Sequence, residues 1–163
     1  LSATLNLTEL REGGPQDLPS VARIMIEAFD PRYGEAWTPA QCMGMLALPG
    51  VWLVLASLEG TDVGFALARS IGPEAELLLL ATSPAARRRG VGGALLRAIV
   101  AEAEARGVVQ VHLEVRSGND AARLYRREGF DKVGERPNYY RGKGGQLFDA
   151  HTFSRRLIEK SDH

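Results

Sequence analysis

The 163 residues carry 20 Lys/Arg against 20 Asp/Glu, with 45% hydrophobic and 25% charged side chains, a globular balance that excludes a disordered chain and a general nucleic-acid footprint. No unbroken apolar run approaches a membrane span, and the opening LSATLNLTEL lacks the basic start and apolar stretch of a secretory signal. Cys42 is alone, which excludes an internal disulfide framework and fits a reducing, cytoplasmic setting.

The length suits one compact domain over 1–163, burying roughly 70% of the surface its unfolded form would expose. Charge is unevenly divided. Residues 1–80 hold four Lys/Arg against ten Asp/Glu and residues 81–163 hold sixteen against ten, leaving −6 and +6. A polyanionic ligand on the second half and a basic partner near the first would suit that split, although solvated surface charge gives the same count.

TLNLTELRE (4–12) alternates as a first strand. QDLPSVARIMIEAF follows with Asp17 as N-cap, Pro19 in the first turn, and Val21, Ile24, Met25 and Ala28 on one helical face. After a loop at 30–37, Thr38-Pro39 predicts a short helix over 39–47. VWLVLASL and VGFALARS flank EGTD, a hairpin signal, and 75–82 is the third strand of that meander. Ser83-Pro84 ends the strand; Leu95, Leu96, Ile99, Val100 and Ala103 then recur at helical spacing until Gly107, which reads as a C′ residue. VVQVHLEV (108–115) has strict period two, with Val109, Val111, Leu113 and Val115 on one face and Gln110, His112 and Glu114 on the other. Strand, helix, strand within about 40 residues predicts a right-handed crossover between parallel strands. NDAARLYRREGF is a further helix ended at Gly129, and strands at 131–136 and 146–156 complete the sheet. The expected class is α/β: a central twisted mixed β-sheet with α-helices on both faces.

RRRGVGGALLRAIV (87–100) places three arginines and three glycines at the start of a helix, directly after a strand. A helix N-terminus leaves unpaired N–H groups and partial positive charge, so a phosphate binds there when glycine lets the backbone approach. The spacing Arg87-x-x-Gly90-x-Gly92 is neither the Walker A pattern nor G-x-G-x-x-G, so nucleotide hydrolysis and hydride transfer lose their usual warrant. An ordinary basic, glycine-containing turn remains the competing reading of this stretch alone.

LLLLATSPAARRRGVGGALL, continued by VHLEVRSGNDAARLYRREGF and NYY, resembles the GCN5-related N-acetyltransferase (GNAT) superfamily, whose fingerprint is a strand followed by Gln/Arg-x-x-Gly-x-Gly/Ala at a helix start. Within it, the run from Leu113 to Phe130 looks like the bacterial ribosomal-protein alanine N-acetyltransferase (RimI-type) group; Trp37-Thr38 after Phe29 is a looser likeness. The resemblance implies acetyl-CoA as donor and a protein N-terminus, the alanine of a small-subunit ribosomal protein, as acceptor. It implies that Leu80, Ala81 and Thr82 pair with the pantetheine amides, that Arg87, Arg88, Arg89, Gly90, Val91, Gly92 and Gly93 cradle the pyrophosphate, and that Asn119 contacts the cofactor. Trp37, Tyr139 and Tyr140 would frame the acceptor, and no metal is implied.

Aminolysis of a thioester needs a neutral amine and a proton for the departing thiolate. An α-amine of pKa about 8 is roughly a tenth neutral at pH 7, and lysine is on the order of a hundredfold worse, so a base must finish the deprotonation. Glu114, at the end of the second parallel strand on its polar side, is the candidate, acting through water. By resemblance, Tyr125 is the general acid, and backbone N–H groups near Ala81 or Thr82 would help the acyl oxygen. Without the resemblance, Glu114 reads as a sheet-surface carboxylate paired with an arginine and Tyr125 as core packing. His112, His151 and Cys42 have no partners at a catalytic spacing and read as structural. The alternatives are the same donor with a small amine or another protein N-terminus as acceptor and, from another class, a non-catalytic acyl-CoA sensor.

Overall fold

A computed structural model describes residues 7–157, so the predicted first-strand residues 4–6 lie outside the described part. Its elements run β1 (Glu9–Gly13), α1 (Leu18–Ala28), α2 (Pro39–Leu46), β2 (Val51–Leu58), β3 (Thr61–Ile71), β4 (Glu74–Thr82), α3 (Val91–Ala105), β5 (Gln110–Arg116), α4 (Ala121–Arg127), β6 (Asp131–Arg141) and β7 (Leu147–Arg156). Most boundaries follow local chemistry. Thr38 Oγ1 accepts from Gln41 N at 3.2 Å while Gln41 Oε1 accepts from Thr38 N at 2.7 Å, a reciprocal cap that starts α2. Leu58 faces Thr61 across Glu59 and Gly60, both at positive φ (51° and 80°), the hairpin turn that matches strand twist. At the end of α3, Gly107 (φ 80°) lets Val108 N reach Ala103 O at 2.9 Å and Gly107 N reach Glu104 O at 3.0 Å.

Three expectations shift. Asp17 precedes α1 without capping it through its side chain: Oδ2 accepts from Gly14 N at 3.0 Å and Oδ1 pairs with Arg11 at 2.9 Å. Val108, rather than Val109, joins Val111, Leu113 and Val115 in the core, because Val109 is drawn out by bonds from its N–H to Pro73 O and from Leu157 N to its carbonyl. Strand β6 continues past 136 to Arg141; Pro137 is tolerated because β6 is an edge strand and its register breaks between Arg136 and Tyr140.

The sheet order is β1-β2-β3-β4-β5-β7-β6, with β4 and β5 parallel and every other pair antiparallel. Helices cover both faces. Leu18, Val21, Ile24 and Met25 of α1 and Cys42 of α2 pack on Leu53, Leu55, Phe65 and Leu67, while α3 buries Leu95, Leu96, Ile99, Val100 and Ala103 against Val54, Ala66, Val111 and Leu113. One irregularity controls the centre. Leu67 pairs with Leu79 and Ala68 with Leu77, so Leu78 is an extra residue, a bulge in β4. The alternation of β4 reverses there: Ala75 and Leu77 pack on the α3 side, Leu79 and Ala81 on the α1 side. Pairing with β5 also stops there, the last matched residues being Leu77 and Leu113.

Beyond that point the two strands part, and the 30–37 loop and the β6–β7 hairpin meet beside the gap. The 30–37 loop touches the β6–β7 hairpin, where Lys143 N donates to Pro31 O at 3.1 Å. Gly34 (φ 70°) lies so close that an added Cβ would collide with the Arg141 carbonyl, whereas Gly44, on the exposed side of α2, has open space around it. Gly34→Ala is therefore expected to lower unfolding free energy by about 1–3 kcal/mol, and Gly44→Ala to raise it by about 0.5–1 kcal/mol through helix propensity. Urea unfolding of both variants measures this; loss of stability at Gly44, or none at Gly34, would contradict the loop packing described.

Candidate active site

Where β4 and β5 part lies a cavity of about 120 Å³, walled by Leu77–Leu80 on one side and Leu113–Val115 on the other. Glu114 points into it from the polar face of β5, with its side chain only 6% exposed. That face is matched by hydroxyls of β7: Thr152 Oγ1 donates to Glu114 Oε2 at 2.7 Å, and Gln110 Nε2 donates to Ser154 Oγ at 2.6 Å. Arg136 of β6 brings Nε to 3.0 Å from Glu114 Oε1, so the carboxylate lies between an arginine and a hydroxyl. The arginine pairing expected of a sheet-surface carboxylate is present, but the carboxylate is buried and lines a cavity.

Tyr125 enters the same cavity from α4. Its ring is buried and packs near Phe130 and Phe153, both at 6.2 Å between centroids, so the packing reading and the cavity reading describe the same side chain. Burial foremost, and the charge of Glu35 second, hold its phenol protonated well above the ordinary tyrosine range. Tyr140 also lines the cavity and donates to the Glu114 carbonyl at 3.3 Å; burial again raises its phenol. Tyr139 meets it edge-on at 4.9 Å. The break in β6 that carries Pro137 and Asn138 (φ 54°) aims these rings, with Asn138 N fixed to Asp149 Oδ1 at 2.8 Å. Trp37, one residue before the α2 cap, completes the aromatic wall with Phe29.

The Arg/Gly turn follows β4. Arg88 and Gly90 both adopt left-handed backbone (φ 66° and 79°), and the first rung of α3 is Ala94 N to Gly90 O at 3.0 Å. The N–H groups of Val91, Gly92 and Gly93 thus precede the helical ladder, behind a backbone curl of the kind that concentrates amides on an anion. Strain at Arg88, a non-glycine residue in this region, is typical of a ligand-gripping turn. The other residues of the stretch have packing duties. Val91 is buried in the core, an added Cβ on Gly92 would lie 3.0 Å from Leu124 Cδ2, and one on Gly93 would lie 3.0 Å from Arg97 Nη1. Arg87 donates to Ala28 O at 3.0 Å, closing the end of α1, while the Arg88 and Arg89 side chains are exposed. Leu80 lines the cavity, Ala81 is buried toward α1, and Thr82 Oγ1 sits 3.9 Å from the Cβ position of Gly92. The edge of β4 that faces β5 is unmatched from Leu78 onward, a backbone edge open to an extended ligand.

Asn119 is in the cavity wall, with Oδ1 accepting from Ala121 N and Nδ2 donating to Glu35 Oε2, both at 2.9 Å. Glu35 and Glu76 line the cavity although the sequence does not mark them; Glu76 lies 4.0 Å from His112 Nε2. Alternation along β4 could have placed Glu76 on the polar face, but Glu35 sits in a loop without periodicity. His151 lies 3.8 Å from Glu135, and burial raises the Cys42 thiol. Among the described residues, no three His, Cys, Asp or Glu side chains gather as a metal site.

The Acetyltransferase (GNAT) family profile matches residues 18–130. The N-alpha-acetyltransferase RimI of Mycobacterium tuberculosis is 43% identical over 126 residues, 74% of this chain and 76% of that protein. Among solved structures, the ribosomal-protein-S18-alanine N-acetyltransferase from Escherichia coli superposes with TM-score 0.82 at 27% identity, covering 96% of this chain and 99% of that one. Arabidopsis thaliana NAA60 in complex with acetyl-CoA has the same fold, with TM-score 0.80 at 21% identity over 93% and 99% of the two chains.

The raised Tyr125 phenol has a measurable consequence. Below about pH 10 both folded and unfolded chains keep it protonated; above that, the unfolded phenol ionises while the folded one does not, so stability falls as pH rises. Urea unfolding from pH 9 to about 11 should show a steeper decline for the wild type than for Tyr125→Phe. Parallel curves would mean that the folded protein does not shield this phenol.

Proposed function

The chain belongs to the GNAT acetyltransferase family, and from that premise we propose that it is an N-alpha-acetyltransferase that uses acetyl-CoA to acetylate the N-terminal alanine of a small-subunit ribosomal protein, by direct transfer in a ternary complex. The observation that carries the reading is the parting of β4 and β5, which leaves an open strand edge and brings Glu114 and Tyr125 to one cavity, with the Arg88–Gly93 turn following the same strand β4. Support for the acceptor comes from the relatives: RimI of Mycobacterium tuberculosis is named as an N-alpha-acetyltransferase and the Escherichia coli protein as acting on the alanine of ribosomal protein S18.

The residues fit the donor. Amides of Val91, Gly92 and Gly93 with the Arg88 turn suit a pyrophosphate, the free edge of β4 at Leu80–Thr82 suits the pantetheine amides, and Asn119 keeps one N–H beyond the one it gives Glu35. Acetyl-CoA supplies an acetyl thioester, whose C–S bond breaks as the amine nitrogen forms its C–N bond. Glu114 takes the proton that the α-ammonium must lose, through a water in the cavity, while Arg136 and Thr152 hold the carboxylate in place. Tyr125, kept protonated by burial, gives its proton to the departing sulfur, and the second proton that the nitrogen loses as the amide forms restores the phenol, so the net change is one proton on Glu114. Backbone N–H groups near Ala81 and Thr82 polarise the acyl oxygen. Trp37, Tyr139 and Tyr140 wall the space for the first acceptor residue.

Glu114→Gln and Tyr125→Phe should each lower kcat by about 10²–10⁴-fold, with acetyl-CoA affinity by calorimetry within about twofold of wild type. The acceptor is tested by following free thiol with peptides beginning in alanine, blocked peptides containing lysine, and simple amines. Turnover is expected on the first set. Equal rates on all three would remove the α-amine selectivity, and acetyl-CoA binding without turnover on any amine would favour a sensor.

A further inference from the structure

Glu35 is a buried carboxylate in a loop whose neighbours Gly34 and Ala36 are exposed. It is fixed from two sides. Arg116 Nε, buried and without an aligned hydrogen-bond partner, lies 3.2 Å from Glu35 Oε1, and the two side chains are only 13% and 10% exposed. The Arg116 guanidinium in turn covers the Tyr33 ring at 3.7 Å, and Tyr33 meets Phe148 edge-on at 5.2 Å. On the other side, Glu35 Oε2 accepts the Asn119 Nδ2 bond at 2.9 Å. With both oxygens engaged, Glu35 has little left to offer an acceptor amine directly.

Asn119 carries the connection further. Its Oδ1 takes the N–H of Ala121, the first residue of α4, and Tyr125 follows one helical turn later on the same face. This is an Asx turn one residue ahead of Asp120, the N-cap, and it ties the entry of α4 to the Asn119 side chain. The loop that bears Glu35 also bears Trp37, and Glu35, Trp37, Asn119 and Tyr125 all line one cavity.

We propose that Glu35 is a positioning residue: through Asn119 and the first turn of α4 it sets the pose of Tyr125, so that the acceptor-side loop and the proton donor are held as one unit. The inference rests on the reading of Tyr125 as proton donor. It assigns Glu35 a role that an ordinary loop staple lacks, because the bonded chain ends on the turn that carries the phenol.

A double-mutant cycle on transfer to an alanine-terminal peptide tests it. Glu35→Ala should lower kcat about tenfold while changing acceptor KM by less than about threefold. In a Tyr125→Phe background the same substitution should cost less than about twofold, since the group being positioned is gone. Glu35→Gln, which keeps an acceptor for Asn119, should return kcat to within about threefold of wild type. Should Glu35→Ala fail to fold in a thermal melt, Glu35→Asp, which draws the carboxylate back from Asn119 Nδ2, takes its place with the same expectations. Equal losses in both backgrounds, or no loss from the substitution used, would overturn the proposal. Full kcat in Tyr125→Phe alone would instead strike the proton-donor reading, and the inference with it.

Discussion

An unmatched strand edge inside a folded domain is the constraint on which the rest depends. Backbone N–H and C=O groups demand partners, and a sheet normally supplies them along its length. Here the parallel ladder stops at Leu77 and Leu113, and the bulge at Leu78 turns the following residues of β4 toward the opposite layer. The cost of the unmatched edge is avoided only where water or an extended ligand can reach it, so the opening must stay accessible while its surroundings stay rigid. Rigidity comes from both layers: Leu79 and Ala81 remain locked against α1, and Val111, Leu113 and Val115 against α3 and α4.

That opening also organises charge. The acidic half of the chain contributes Glu35 and Glu76 to the cavity, and the basic half contributes Glu114 and the arginines that hold Glu35 and Glu114. Carboxylates this dry would be costly unpaired, and each of the two most buried has a guanidinium within 3.2 Å and a neutral donor on its other oxygen. The charge split between the halves is therefore partly resolved inside one site. It is not only surface bookkeeping.

Legibility in the sequence tracked the range of the interaction responsible. The β2–β3 hairpin, the α2 cap and the Gly107 stop depend on neighbours within a few residues, and each appears where its residues predict it. The Leu78 bulge does not, because four consecutive leucines offer no alternation to break. The continuation of β6 through Pro137 depends on its being an edge strand, which is a fact of topology. Glu114 and Tyr125 were marked by period and by resemblance and do meet at one cavity, whereas Glu35 acts across 84 residues on Asn119 and left no local signal.

The Arg/Gly stretch shows why a motif should be divided by duty before it is assigned to a ligand. Gly90 suits its left-handed backbone, Gly92 is approached closely by Leu124, and Gly93 lies against the ends of Arg97 and Glu128. Arg87 closes α1, which ties the turn to the helix leading into the 30–37 loop. Only the backbone curl at Arg88 and the amides that open α3 have no packing reason for their arrangement, and these are the groups an anion would meet. The same residues therefore fix the turn to both neighbouring helices, so its conformation is set by the fold itself.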